Sequence, residues 1–428
     1  MNTEIYIHEI IALTLSIYFL KLINYKFFTI KGVTLLYFII FYSGAILLVI
    51  IDSIYFRDFL ITNPIAVLNT LHAYNVFIGI FVTVELFLRS IKKTTKHKDY
   101  PPFFKGFNNK KAMLFILFFI AALIIRMNNN LYYHVSIDPN YNLSLNTYQN
   151  IINRLHWLGL LPIFFMQYKY FRTGKVAYII ISATFVIFMI SAYLPSGSRT
   201  TAFLFFPIFI IYILSELKKH RLLLTLGAGI LLSILVVFSG KMRVTDANLS
   251  HYTLKDDSAI LVHRLFDAVI TGKIMERVPN DYDYRNYQGM EILLYTPFPG
   301  FVRSEIGMPI NFTDGPLYIR SIGLTPSWTS VPVTLLGDFY SRFGWYGIIL
   351  LSIFLSLILR FLDNIILKRG ELFKLTFMVL YSAYASQIYI VDMQVFFVSI
   401  TREFIISYIL ASLIVMFIVK KIHRVERI

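Results

Sequence analysis

The chain has 428 residues, 57% hydrophobic and 15% charged, with a mean hydropathy of +0.66. Soluble domains run near about 45–50% apolar and about 25% charged, so an ordinary soluble domain is excluded, and 40 Phe with 29 Tyr exclude a disordered one. With no cysteine there is no disulfide framework, cysteine-ligated zinc, iron–sulfur centre or thiol nucleophile.

A helix needs roughly 20 apolar residues to cross a bilayer. In chain order, eleven apolar runs are read as spans: Ile5–Leu22, Val33–Ile51, Leu68–Leu88, Ala112–Met127, Ile151–Tyr168, Val176–Leu194, Thr201–Leu217, Leu222–Phe238, Trp345–Leu362, Leu372–Tyr389 and Phe404–Val419. The two weakest are Ile151–Tyr168, which carries Arg154 and His156, and the Ser- and Tyr-rich Leu372–Tyr389. Glu4 and Glu9 stand where a signal peptide has its basic region, so the first run is read as a span and not as a cleaved leader.

The formal charge of +16 is a matter of placement. With the N-terminus outside and the spans alternating, 24 Lys and Arg fall inside, against five in the short outside segments (Arg57, Arg126, Arg154, Arg199 and Arg402). This is the positive-inside pattern, and it leaves no nucleic-acid partner expected. The expected fold is an all-α polytopic membrane protein with about eleven transmembrane helices and one large extracytoplasmic loop carrying short amphipathic helices. Residues 1–239 form an N-terminal bundle of eight spans, 240–342 the outside loop, and 343–428 three C-terminal spans; the C-terminus is cytoplasmic.

The loop holds ten basic and eleven acidic residues, so it is not a polybasic lipid-binding arm. A loop of this length in a compact protein is usually functional. Asp256–Ser258 offers an N-cap, and Ile260, Leu261, Leu265, Ala268, Val269 and Met275 recur at near-helical spacing. That helix lies on the membrane surface or packs on the bundle.

Charged residues at bilayer depth mark paths, sites or pairs. His72 and Glu85 lie within the third run, Glu85 near its inner end. Most others gather on the outer side: Arg126, Arg154 and His156, Arg199, the pair Asp338 and Arg342, and Arg402 with Glu403. For each, the plain alternative is a snorkelling or paired side chain. Arg199 stands in the turn LPSGSRTT, surrounded by hydroxyls, and a guanidinium fork there matches phosphate oxygens. Asp338 and Arg342 are four apart: a helix ion pair, or a general base, or the orienter of an active Arg. His263 and Asp267 share that spacing, and a His there is a candidate base or a polar-face residue. Asp281 and Asp283 form a D-x-D in a polar loop, read as chance.

The order of motifs resembles the Wzy-type oligosaccharide repeat-unit polymerases of O-antigen and capsule synthesis. The turn Ser196–Arg199 (SGSR) opens a span. Late in the big loop come Tyr295–Arg303 (YTPFPGFVR), Gly323–Ser327 (GLTPS) and Leu336–Gly347 (LGDFYSRFGWYG). The family shows a G-x-R turn, a proline/arginine stretch, a T-P-S element and an acidic residue followed by F-G-x-x-G. The chain departs from it in having Asp338 where many members carry Glu, and Gly307–Pro309 where many carry Lys-Pro.

The resemblance implies a glycosyltransferase needing no metal or other cofactor. Its substrates are undecaprenyl-pyrophosphate-linked oligosaccharides at the outer face of the inner membrane; membrane lipids and a chain-length-regulating protein are its implied partners. Arg199, Arg264, Arg303, Arg320 and Arg342 bind the anionic pyrophosphate. Asp338, His263 or Glu291, in that order, takes the proton of the acceptor hydroxyl. The rival readings are an O-antigen ligase, a lipid-linked oligosaccharide flippase or other transporter, and a non-catalytic scaffold.

Overall fold

The computed structural model describes residues 2–23, 29–44, 64–91, 160–193, 269–288 and 333–367, most of 318–324, and single positions elsewhere, chiefly between 112 and 124, 377 and 385, and 408 and 416. All regular structure among them is helical. The elements are α1 (Asn2–Leu22), α2 (Ile30–Phe38) with a π-helical turn (Ile39–Gly44), α3 (Pro64–Ile91), α4 (Leu160–Thr173), α5 (Val176–Tyr193), α6 (269–277) and α7 (Leu335–Leu367). Three of them contain stretches long and apolar enough to cross a bilayer: Thr3–Leu22, Pro64–Ser90 and Leu335–Ile365. Ile7, Ile10 and Ile17 of α1 and Leu350, Leu357 and Phe361 of α7 are exposed, and apolar ridges of this kind belong against lipid and not water.

The direction of each helix follows from its side-chain pairings. Between α1 and α3, His8 meets His72, and Phe19 packs on Phe81 with ring centroids 5.3 Å apart. Between α3 and α7, Ser352 donates to the Phe77 carbonyl (2.7 Å) and Arg360 to the Leu88 carbonyl (3.1 Å). These three helices therefore run the same way. Helix α2 opposes them: Lys31 pairs with Glu85 (2.6 Å), Phe38 stacks on Phe77 and Tyr42 on Tyr74.

At the end shared by Lys31 and Glu85, Arg89 adds a second cation to Glu85 (3.1 Å). Thr29 caps α2 through Gly32 N–H, and the Asp363 carboxylate of α7 accepts from the backbone N–H groups of Ile30 and Lys31. A carboxylate is favoured at a helix N-terminus, so Asp363 locks α2 to α7. Helices α4 and α5 form a hairpin through residues 174 and 175, with Ser182 donating back to the Ile163 carbonyl.

Several expected boundaries move. The second run is helical from Ile30 but changes to π-helical winding at Ile39. The ninth run opens at Trp345, directly after a helix break at Gly344, and a short helical segment, 335–343, precedes it with polar Asp338, Ser341 and Arg342 turned inward. The loop helix is seen at 269–277, and it packs on the bundle instead of lying on a membrane surface. Val269, Ile270, Ile274 and Val278 are fully buried, and Gly272 passes so close to α3 that an added Cβ would overlap the Ala66 backbone. Residues 256–268 and most of the fourth, seventh, eighth, tenth and eleventh expected runs lie outside the described residues.

Candidate functional site

The start of α7 is built around Thr334. Its hydroxyl accepts from Gly337 N–H (3.1 Å) and its carbonyl from Asp338 N–H (2.8 Å), so it acts as the N-cap. Its hydroxyl also bonds that of Thr271, which ties α6 to α7. Asp338 then falls in the first helical turn, where the helix dipole favours an anion. One turn later Arg342 Nε donates to Asp338 Oδ1 (3.2 Å).

Gly344 breaks the helix with φ 60° and ψ −143°, a conformation open to glycine and strained for any other residue. A Cβ there would also stand 2.8 Å from the Tyr284 hydroxyl. The break frees the carbonyls of the preceding turn, which lose their intrahelical donors. Ser341 O accepts instead from the backbone N–H of Arg285 (2.9 Å). This docks residues 284–288 against the helix, with Asn286 held at φ 48°. The Arg285 side chain turns inward and donates to Asp338 Oδ1 (3.0 Å). Arg342 Nη1 reaches the carbonyls of Gln288 (2.5 Å) and Asn286 (3.4 Å).

The outcome is one carboxylate gripped by two guanidiniums, all out of water: Asp338 is 0%, Arg342 1% and Arg285 5% exposed. Tyr318 covers the Arg285 guanidinium at 4.3 Å from its ring centroid, a cation–π contact. Burial pushes the Tyr318 phenol up, and Arg285 pulls the other way. Charge-assisted bonds in such a dry setting are strong. Both guanidiniums meet the same carboxylate oxygen, Asp338 Oδ1.

Of the residues expected in a site, the structure brings Asp338 and Arg342 together, at the ion-pair spacing read from the sequence. Arg199, His263, Arg264, Glu291, Arg303 and Arg320 lie outside the described residues. Arg285 carries no signal in the sequence: it stands in the polar segment around the D-x-D, and nothing local distinguishes it from a solvated loop cation. Asp281 of the D-x-D pairs with Arg277 (3.0 Å) on the surface, and Asp283 is exposed. No cluster of three or more acidic or His side chains fit for a metal occurs among the described residues. Glu85, placed near the inner end, is held by Lys31 and Arg89, and His72 is bonded to His8 (3.0 Å).

No family model matches the chain, and neither a curated protein nor a solved structure shows detectable similarity to it.

Proposed function

We propose that the protein polymerises lipid-linked oligosaccharide repeat units at the outer face of the inner membrane. The growing glycan is transferred from undecaprenyl pyrophosphate to a hydroxyl of the next undecaprenyl-pyrophosphate-linked unit. The observation that carries this reading is the buried Asp338–Arg285–Arg342 cluster, in which Asp338 and Arg342 come from the motif segment 336–347 and Arg285 from the loop.

In the reaction, the acceptor oxygen bonds to the anomeric carbon as the bond from that carbon to pyrophosphate breaks. The hydroxyl proton passes to a base and undecaprenyl pyrophosphate leaves. The leaving group gathers negative charge, and a fixed positive field stabilises it without reorganisation. With no exposed surface and two cations on it, Asp338 serves better as the orienter of Arg285 and Arg342 than as the base. The base is then His263 or Glu291. Direct contact with pyrophosphate belongs to Arg199, Arg264, Arg303 and Arg320, with Arg285 and Arg342 supplying the field behind them.

This reading sets the N-terminus outside and eleven spans in all. Helices α3 and α7 run parallel, so if both cross the membrane an odd number of crossings separates them, and the eleven-span scheme has five. The test is the purified protein in liposomes with undecaprenyl-pyrophosphate-linked repeat units. Long glycan with release of undecaprenyl pyrophosphate is expected, and Arg199→Ala and Arg199→Lys should both abolish it, since a point charge does not reproduce the guanidinium fork. Unchanged single units with the wild-type protein would overturn the reading.

A further inference from the structure

Away from the Asp338 cluster, the bundle buries two further acids, Glu85, which is paired with Lys31 and Arg89, and Glu9. Glu9 lies seven residues after Asn2 on α1, about 10 Å along the helix at its usual rise, and is 3% exposed. One oxygen, Oε1, accepts from the Ser43 hydroxyl (2.9 Å). The other, Oε2, is buried with no hydrogen-bond partner. Among the described residues no Lys or Arg forms an ion pair with it, in contrast to Glu85 and Asp338.

Its partner Ser43 belongs to the π-helical turn Ile39–Gly44. Such wide turns within helices are frequent at functional sites. Tyr74 of α3 is bonded to Ser16 (3.0 Å) and stacked on Tyr42 of the same π-helical turn. Beside Glu9 in sequence, His8 meets His72 of α3 with their Nε2 atoms 3.0 Å apart, and Asn75 donates to the His8 carbonyl (3.0 Å). Both rings are half-buried.

An ionised carboxylate at this depth, with one neutral donor and no cation paired to it among the described residues, is costly. We propose that Glu9 is a proton-binding site of the membrane bundle: Oε2 carries a proton in the packed arrangement. Ser43 donates to the carbonyl oxygen of the resulting acid, which fits the observed bond. The proposal rests on helix packing alone and is independent of glycan transfer.

Infrared difference spectra of the purified full-length protein at neutral pH test it. Wild type minus Glu9→Gln should show the carbonyl stretch of a protonated carboxylic acid, above the amide band. Ser43→Ala keeps the acid but removes its hydrogen bond, so the same band should move to higher frequency. A carboxylate stretch lost in Glu9→Gln, or a Ser43→Ala spectrum identical to wild type in the acid region, would overturn the proposal. Should Glu9→Gln not fold, Ser43→Ala decides alone.

Discussion

Asp338 is held by Arg285 and Arg342, and each of the three is nearly without exposure. Burying charges is expensive, and removing one partner strands the others. Asp338→Ala should therefore cost about 3–5 kcal/mol of stability, read as a lower unfolding temperature in detergent. A change near zero would mean that the two guanidiniums find other anions. Arg342→Lys should retain the fold but lose glycan polymerisation, because one ammonium cannot serve the Asp338 carboxylate and the Gln288 carbonyl with the geometry of a fork. Full-length polymer from Arg342→Lys would contradict this. The pairing of Asp338 with Arg342 was legible because it is local, one helical turn. Arg285 was not, because its bond to Asp338 spans 53 residues and depends on a helix break that brings the loop back.

Two glycines decide how elements meet. At Gly344 the backbone takes a conformation that costs a side-chain-bearing residue about 1–3 kcal/mol, and the space beside it is filled by Tyr284. Gly344→Ala should release residues 284–288 from the helix, seen as faster proteolysis of the loop. Gly272→Ala meets the backbone of Ala66 and should separate α6 from α3, again exposing the loop while leaving the spans intact. Protease resistance equal to wild type in both would show that the loop is held by other contacts. At this scale the long apolar helices α1, α3 and α5 could be read from hydropathy. The apolar part of α7 after Gly344 could be read too, but the segment 335–343 before it could not, since its charges point into the protein. The docking of α6 was one of two readings; its apolar stripe was visible, but the partner that covers it was not.

For the whole molecule, the positive-inside count and the parallel run of α1, α3 and α7 point to the same alternation of spans. The number of spans was read from hydropathy, and the described helices bear on its parity alone. The chain has no cysteine, so single replacements report sidedness cleanly. Asp283→Cys, in the loop, should react with an impermeant maleimide in intact cells; Lys175→Cys, in the α4–α5 turn, should react only after permeabilisation. Labelling in the reverse order would invert the proposed orientation. The most direct test of the function is glycan length in a strain lacking the protein. Single repeat units attached to the surface are predicted, with a ladder restored by the wild-type chain and not by Arg342→Lys. Loss of all surface glycan with lipid-linked polymer accumulating would contradict the account in favour of a ligase, and lipid-linked single units trapped at the cytoplasmic face would contradict it in favour of a flippase.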